Sequence, residues 1–197
     1  MQKYRIIDYS VKPAFLIYLA LSLLLLPFWW VLAWFTAVAV HELSHLLMLR
    51  LLGLTIYNIS FDINGAKIEA EHMMNYRELL CALAGPLGGY LLVLFIRVYP
   101  ELAVCGVLQS VYNMLPIYPL DGGRILRCLL NIITHNSVSG NTIKYIEWFV
   151  LAMLFSVALY STFVLKLGVL PLILVFALFL KNKSVKFPCK QVKLIVQ

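Results

Sequence analysis

The residues of this chain that most clearly suggest chemistry form one run of five, His41-Glu42-Leu43-Ser44-His45. On a helix, two histidines four residues apart lie about one turn from each other on the same face. Two neutral imidazoles on one face can bind one Zn²⁺ ion, with the intervening glutamate beside the metal as a general base. Ionisable residues inside an apolar, membrane-spanning segment cost free energy, so their presence indicates a function. The plainer alternative is a polar cluster that forms hydrogen bonds between helices.

A catalytic zinc site needs a third protein ligand and leaves its fourth position to water. His72 and His135 are candidates by residue type, but they lie in predicted loops. Asp121 is the better candidate, because it lies between two prolines and two glycines at the cytoplasmic end of the predicted fourth span. Irregular backbone of this kind is tolerated at membrane depth where it is buried in protein or lines a wet cavity. The plainer alternative for Asp121 is a turn residue, since Asp-Gly is a common turn pair.

The composition restricts the class of protein that can position these residues. Of the 197 residues, 62% are hydrophobic and only 13% are charged, with a mean hydropathy of +0.90. This is about half the charge of an ordinary soluble domain, which excludes a water-soluble globule, and a disordered chain would be poorer in apolar residues. An integral membrane protein remains. The four cysteines form no C-x-x-C pair and predict neither a disulfide framework nor a thiolate zinc site.

The apolar segments predict an all-α polytopic membrane protein with about six transmembrane helices, since each span needs about 20 residues. A helical hairpin over residues 14–49 turns at Pro27–Trp30, and later spans and a short interfacial helix follow. The later spans are predicted at 79–98, 102–118, 146–165 and 167–180, and the interfacial helix starts at about Gly122.

The segment Arg50–Arg77 is polar and β-branched, with alternating apolar residues on both sides of Asn64-Gly65. An Asn-Gly pair in such a setting predicts a β-hairpin. The fold class therefore includes a short membrane-associated β-hairpin after the second span. It could offer a strand edge to an extended substrate, or it could plug the cavity.

The cations predict the orientation in the membrane. With six spans and both termini in the cytoplasm, 14 of the 16 Lys and Arg residues lie in cytoplasmic segments, and only Arg97 and Lys166 lie outside. This asymmetry follows the positive-inside rule and explains the net charge of +7 without nucleic acid. His45 precedes Arg50 by five residues and Asp121 precedes Arg124 by three, so the three ligands are expected near the same membrane face.

The two motifs together resemble the site-2 protease family of intramembrane zinc metalloproteases. The motifs are H-E-L-S-H at 41–45 and N-x-x-P-x-x-P-L-D-G-G at 113–123, with Gly85-Pro86-Leu87 between them. The resemblance implies one Zn²⁺ ion held by His41, His45 and Asp121. It also implies that Glu42 polarises the zinc-bound water for attack on a peptide bond.

Asn113 matches the asparagine of the family motif, and the resemblance implies that it holds substrate or stabilises the oxyanion. The plainer alternative is a hydrogen bond between helices. Within the family, the chain is most similar to the compact bacterial type of the sporulation protease, which cleaves a membrane-associated sigma-factor precursor. Many of these proteins carry a CBS domain after the last span, whereas only a basic tail of about 17 residues is expected after the last span in this sequence.

The sequence thus predicts an intramembrane zinc metalloendopeptidase that cleaves a membrane-associated protein near the cytoplasmic face. The substrate would be a sigma-factor precursor or an anti-sigma factor. A membrane-embedded protease core over residues 1–180 precedes a basic cytoplasmic tail over 181–197. The expected partners are this substrate, the lipid of a bacterial cell membrane and a regulatory membrane protein, with no nucleic acid.

Two other classes stay open. One is a membrane metalloprotease of a different family, with a glutamate as third ligand and a role in protein quality control. The other is a non-catalytic metal-binding membrane protein, against which the intact Glu42 argues.

Overall fold

The computed structural model describes residues 8–11, 13–54, 56–62, 65–70, 75–134, 139–163, 166, 168–183 and 194–196. Over these residues the chain is mainly helical. The helices are α1 (Pro13–Leu25), α2 (Phe28–Leu51), α3 (Asn75–Leu91), α4 (Pro100–Asn113), α5 (Asp121–Thr134), α6 (Gly140–Phe163) and α7 (Leu170–Lys183). A short 3-10 helix, Leu92–Phe95, extends α3.

Three helical segments in the described part of the chain are long and apolar enough to cross a bilayer. They are Phe28–Leu51, Asn75–Phe95 and Gly140–Phe163. An integral membrane protein built of helices is therefore confirmed. Helices α4 and α7 have 14 residues each, or about 21 Å of helix, which is shorter than the roughly 30 Å hydrocarbon core. A total of six spans stays a prediction.

Proline ends two of the helices. Pro27 follows the last turn of α1, and Pro116 follows the end of α4 at Asn113. A proline lacks the N–H that a helix needs and disfavours helical backbone in the residue before it. The chain therefore turns at residues 26–27 and leaves the helical path after Asn113.

The helices that surround the site pack closely. Helix α2 packs against α3 and α4, and α3 packs against α4 and α5, while α6 pairs with α7. Two buried apolar clusters hold these groups together. The first is Ala33, Ala37, Leu92, Leu102 and Cys105, and the second is Ile117, Leu120, Leu151 and Leu178. Alanines at positions 33 and 37 let α2 approach its neighbours, as small residues do between helices in membranes.

The described strands form a sheet in the order β1-β2-β3-β4. Strand β2 (Ile56–Asp62) pairs antiparallel with β3 (Gly65–Ala70), with Phe61 opposite Ala66. Strand β1 (Asp8–Val11) is parallel to β2, and β4 (Leu194–Val196) is antiparallel to β3. Residues 63 and 64, where the predicted hairpin would turn, lie outside the described residues, so the membrane-associated hairpin stays a prediction. Most of the tail over 181–197 also lies outside them, and the division at residue 180 stays a prediction too.

Candidate metal centre

Helix α2 carries the first three residues of the site. His41, Glu42 and His45 are 1%, 9% and 0% exposed, in a helix that is otherwise almost wholly apolar. Because the two histidines are four residues apart, they lie on one face, and their ring centroids are 4.9 Å apart. One regular helix thus fixes both imidazoles relative to each other.

Asp121 reaches the histidines from a different element. It is the first residue of α5 and is fully buried. The chain before it, residues 114–120, is irregular, with short turns such as the hydrogen bond from the N–H of Leu120 to the carbonyl of Ile117 at 2.9 Å. We call residues 114–120 the ligand loop.

Two glycines allow the first turn of α5 to lie against the ligand loop. A Cβ atom at Gly122 would overlap the carbonyl oxygen of Met114. A Cβ atom at Gly123 would lie 2.6 Å from the carbonyl carbon of Ile117, closer than real Cβ contacts come. The Asp-Gly-Gly sequence is therefore a packing requirement, because it lets the chain fold back tightly just where Asp121 must face α2.

The three side chains meet in one buried cluster. Oδ2 of Asp121 lies 3.1 Å from Nε2 of His41 and 3.1 Å from Nε2 of His45, and the two Nε2 atoms are 3.3 Å apart. Atoms bound at about 2.0–2.1 Å to a tetrahedral zinc ion lie about 3.3 Å from each other. The triangle formed by these atoms has the size of one face of such a tetrahedron, so these residues fit a zinc ion with three protein ligands.

The second nitrogen of His45 has a partner that fixes the orientation of the ring. Nδ1 of His45 lies 2.8 Å from the carbonyl oxygen of Cys81 in α3. Since a carbonyl only accepts hydrogen bonds, Nδ1 carries the proton and donates it. Nε2 is then left with its lone pair directed at the cluster, which is the tautomer that a metal-binding histidine needs.

Helix α3 also leaves room for the cluster at Gly85. A Cβ atom at this position would overlap Nε2 of His45 and would lie 2.6 Å from its Cε1 and 2.8 Å from Cε1 of His41. The glycine of the Gly85-Pro86-Leu87 element therefore lets α3 lie directly against both imidazoles.

The structure corrects one step of the sequence argument. The charge count treats Arg124 as a cation in a cytoplasmic segment, but its side chain is only 2% exposed and lies beside the cluster. Its Nη1 is 3.5 Å from Oδ1 of Asp121, and its Nε is 3.7 Å from Oε1 of Glu78. The guanidinium of Arg124 therefore pairs with acids inside the protein rather than with water, and the predicted depth of the cluster in the membrane stays a prediction.

The remaining predicted site residues are Glu42, Asn113 and the two alternative histidine ligands. Glu42 is buried next to His41, and Asn113 is the last residue of α4 and is partly buried. The roles of both stay predictions. His72 and His135, the alternative ligands, lie outside the described residues.

One further buried acid is not among the residues predicted from the sequence. Glu147 lies in α6 and is 1% exposed, and its Oε1 accepts a hydrogen bond from the backbone N–H of Tyr118 at 2.9 Å. A signal was present in the sequence, because Glu147 is an acid inside the apolar segment predicted at 146–165.

A helical membrane protein with a buried His-His-Asp cluster and an adjacent buried glutamate has the side chains that a zinc-dependent hydrolase needs. Comparisons with known proteins show similarity to such enzymes. Residues 93–157 match the model of Peptidase family M50, a segment that includes Asp121 but not the histidine motif.

Two curated relatives are zinc metalloproteases by name. A candidate zinc metalloprotease from Synechocystis sp. is 29% identical, over 54% of this chain and 32% of the relative. A zinc metalloprotease from Methanocaldococcus jannaschii is 28% identical, over 49% of this chain and 33% of the relative. The matched region spans about a third of each relative's length.

The fold is similar to that of a site-2 protease from Methanocaldococcus jannaschii. The TM-score is 0.64, the identity is 18%, and the match covers 98% of both chains. The resemblance to the site-2 protease family is thereby confirmed, and the comparisons support a zinc metalloprotease.

Proposed function

We propose that this protein is an intramembrane zinc metalloprotease that hydrolyses a peptide bond of a membrane-associated protein. The observation that supports this most is the buried cluster, in which ligand atoms of His41, His45 and Asp121 lie within 4.8 Å of one another. These residues would hold one zinc ion, and Glu42 follows the first ligand directly on α2. When bound in such a site, zinc lowers the pKa of a water molecule and polarises a carbonyl group.

Glu42 and Asn113 would do the remaining chemistry. The Glu42 carboxylate would take a proton from the attacking water and give it to the amine nitrogen that leaves. The amide N–H of Asn113 would donate a hydrogen bond to the oxygen of the scissile carbonyl, on which charge develops. Asn113 lies at the end of α4, where the chain enters the ligand loop that leads to Asp121, which supports a role near the cluster.

The substrate would have to unwind before cleavage, because the backbone hydrogen bonds of a transmembrane helix shield its carbonyl groups. A sheet edge can pair with an extended peptide without requiring one sequence. In the sheet of this protein β1 and β4 flank β2 and β3, so a substrate strand would reach the edge of β2 or β3 by displacing β1 or β4. The membrane-associated hairpin of the sequence analysis would present this edge. The alternative that the hairpin plugs the cavity predicts faster cleavage when these strands are removed.

The orientation and the partners belong to the same proposal. The excess of cations in the segments assigned to the cytoplasm supports six spans and two cytoplasmic termini. A location in a bacterial cell membrane rests on the resemblance to the compact bacterial type. Cleavage would then occur near the cytoplasmic face. A sigma-factor precursor or an anti-sigma factor as substrate, and a regulatory membrane protein as partner, rest on the resemblance to the compact sporulation type alone.

Co-expression with a reporter tests the proposal. The reporter is a tagged single-span membrane protein whose span contains a proline and a glycine, because these residues favour unwinding. The wild type should release a shorter tagged fragment, and Glu42→Gln should leave the reporter intact at the same protein level. Equal cleavage by the two proteins would contradict the proposal.

A further inference from the structure

Glu147 is an acid buried within an apolar helix, where a carboxyl group costs free energy. It lies in α6, one of three segments among the described residues that are able to cross a bilayer, and is 1% exposed. An ionisable residue inside such a segment marks a function more often than not. The structure gives Glu147 a specific contact, since its Oε1 accepts the N–H of Tyr118 at 2.9 Å.

Tyr118 lies in the ligand loop, three residues before Asp121. The loop contains Pro116 and Pro119, which carry no N–H, so it has few donors by which another element can hold it. The hydrogen bond is partly buried, and an N–H that is shielded from water and has no acceptor is costly, which makes the acceptor on α6 important for this conformation.

Apolar contacts join the same two elements. Ile117 and Leu120 of the ligand loop are buried in one cluster with Leu151 of α6 and Leu178 of α7. The α6–α7 pair therefore holds the loop through a hydrogen bond at Tyr118 and through side-chain packing on either side of it.

The ligands differ in how they are fixed. A single helix fixes His41 and His45 relative to each other, whereas Asp121 comes from another element and depends on the ligand loop for its position. We propose that Glu147 is a positioning residue, which holds the N–H of Tyr118 and thereby keeps Asp121 in place to bind the metal. This inference rests on the proposed zinc site and adds α6 to the elements that determine its affinity.

The test measures zinc affinity of the purified full chain in detergent by competition with a chelator. Glu147→Ala removes the acceptor and should raise the zinc dissociation constant about tenfold, the lower end of the range for residues that orient metal ligands. Glu147→Gln keeps a carbonyl oxygen at the same reach and should retain most of the affinity. Glu101→Ala, which removes a partly buried acid from the first turn of α4, should match the wild type.

The rescue by glutamine separates positioning from a general loss of stability or of charge. Cleavage by Glu147→Ala should also recover when zinc is added to saturation.

If Glu147→Ala does not accumulate, Glu147→Asp replaces it. Aspartate keeps the charge but has a side chain shorter by one methylene, which moves the acceptor away from the N–H of Tyr118 and should lower the zinc affinity. Unchanged zinc affinity in the alanine or aspartate variant would overturn the inference, as would an equal loss in Glu147→Gln. A wild type that binds no zinc would instead overturn the proposed function, and this inference with it.

Discussion

Arg124 lies against the oxygen of Asp121 that does not face the histidines. Oδ2 of Asp121 is 3.1 Å from both Nε2 atoms, while Oδ1 is 3.5 Å from Nη1 of Arg124. The guanidinium is held in turn by Glu78 of α3, at 3.7 Å. A carboxylate that uses one oxygen for a metal and the other for a cation has its orientation fixed from both sides.

Replacing Arg124 should weaken the metal site. Arg124→Gln should raise the zinc dissociation constant by about 10- to 100-fold, as loss of residues that orient metal ligands does. Arg124→Lys should do less harm, because it keeps the charge but loses the planar fork of donors. Chelator competition measures both values. The control is Arg127→Gln, one turn further along α5 and only partly buried, and an equal effect of the two glutamine variants would refute a specific role for Arg124.

Gly85 should tolerate no side chain. In Gly85→Ala the new methyl group would overlap Nε2 of His45. Helix α3 or the imidazole must then move, at an overpacking cost of about 1–3 kcal/mol, so zinc affinity and reporter cleavage should both fall about tenfold or more. The matched control is Gly140→Ala, since a Cβ atom at Gly140 would meet nothing within 4 Å. Full zinc content and activity in Gly85→Ala would show that this close approach is not needed.

Asp121 should be essential as the charged ligand. Asp121→Asn keeps the shape of the side chain but removes the anion, so zinc per purified chain should fall well below the wild-type value, and cleavage with it. Elemental analysis measures the zinc content. An asparagine variant with full zinc and full activity would exclude Asp121 as the third ligand and would favour the metalloprotease class that uses a glutamate in this position.

Removal of zinc should also lower the stability of the folded protein. A ligand present at 100 times its dissociation constant stabilises the state that binds it by about 2.7 kcal/mol. Stripping the metal with a chelator should therefore lower the Tm, and adding zinc back should restore it. His45→Ala should melt at the same temperature with and without zinc. A zinc-dependent shift that survives in this variant would place the stabilising metal elsewhere.

The sequence could predict the three residues of the cluster because each has a local signal. The two histidines follow helical spacing, and Asp121 lies between helix-breaking prolines and glycines. The predicted turn at Pro27 also agrees with the observed end of α1, whereas the fourth span, predicted at 102–118, ends as helix α4 at Asn113.

The contacts around the cluster could not be predicted in the same way. From the sequence, Arg124 is counted with the cations of a water-exposed cytoplasmic segment. The sequence does not show that Glu78 and Asp121 lie beside its guanidinium inside the protein. Glu147 contacts Tyr118 across 29 positions of the sequence, and no periodicity within α6 specifies that partner. Such contacts arise from tertiary packing.

The most direct test of the central claim compares zinc content and cleavage in the same purified Glu42→Gln protein. Glutamine keeps the size of Glu42 but cannot accept the proton of the attacking water at pH 7. A role of Glu42 as general base predicts one zinc ion per chain, as in the wild type, and no cleavage of the single-span reporter. Cleavage at the wild-type rate by a zinc-loaded Glu42→Gln protein would contradict it.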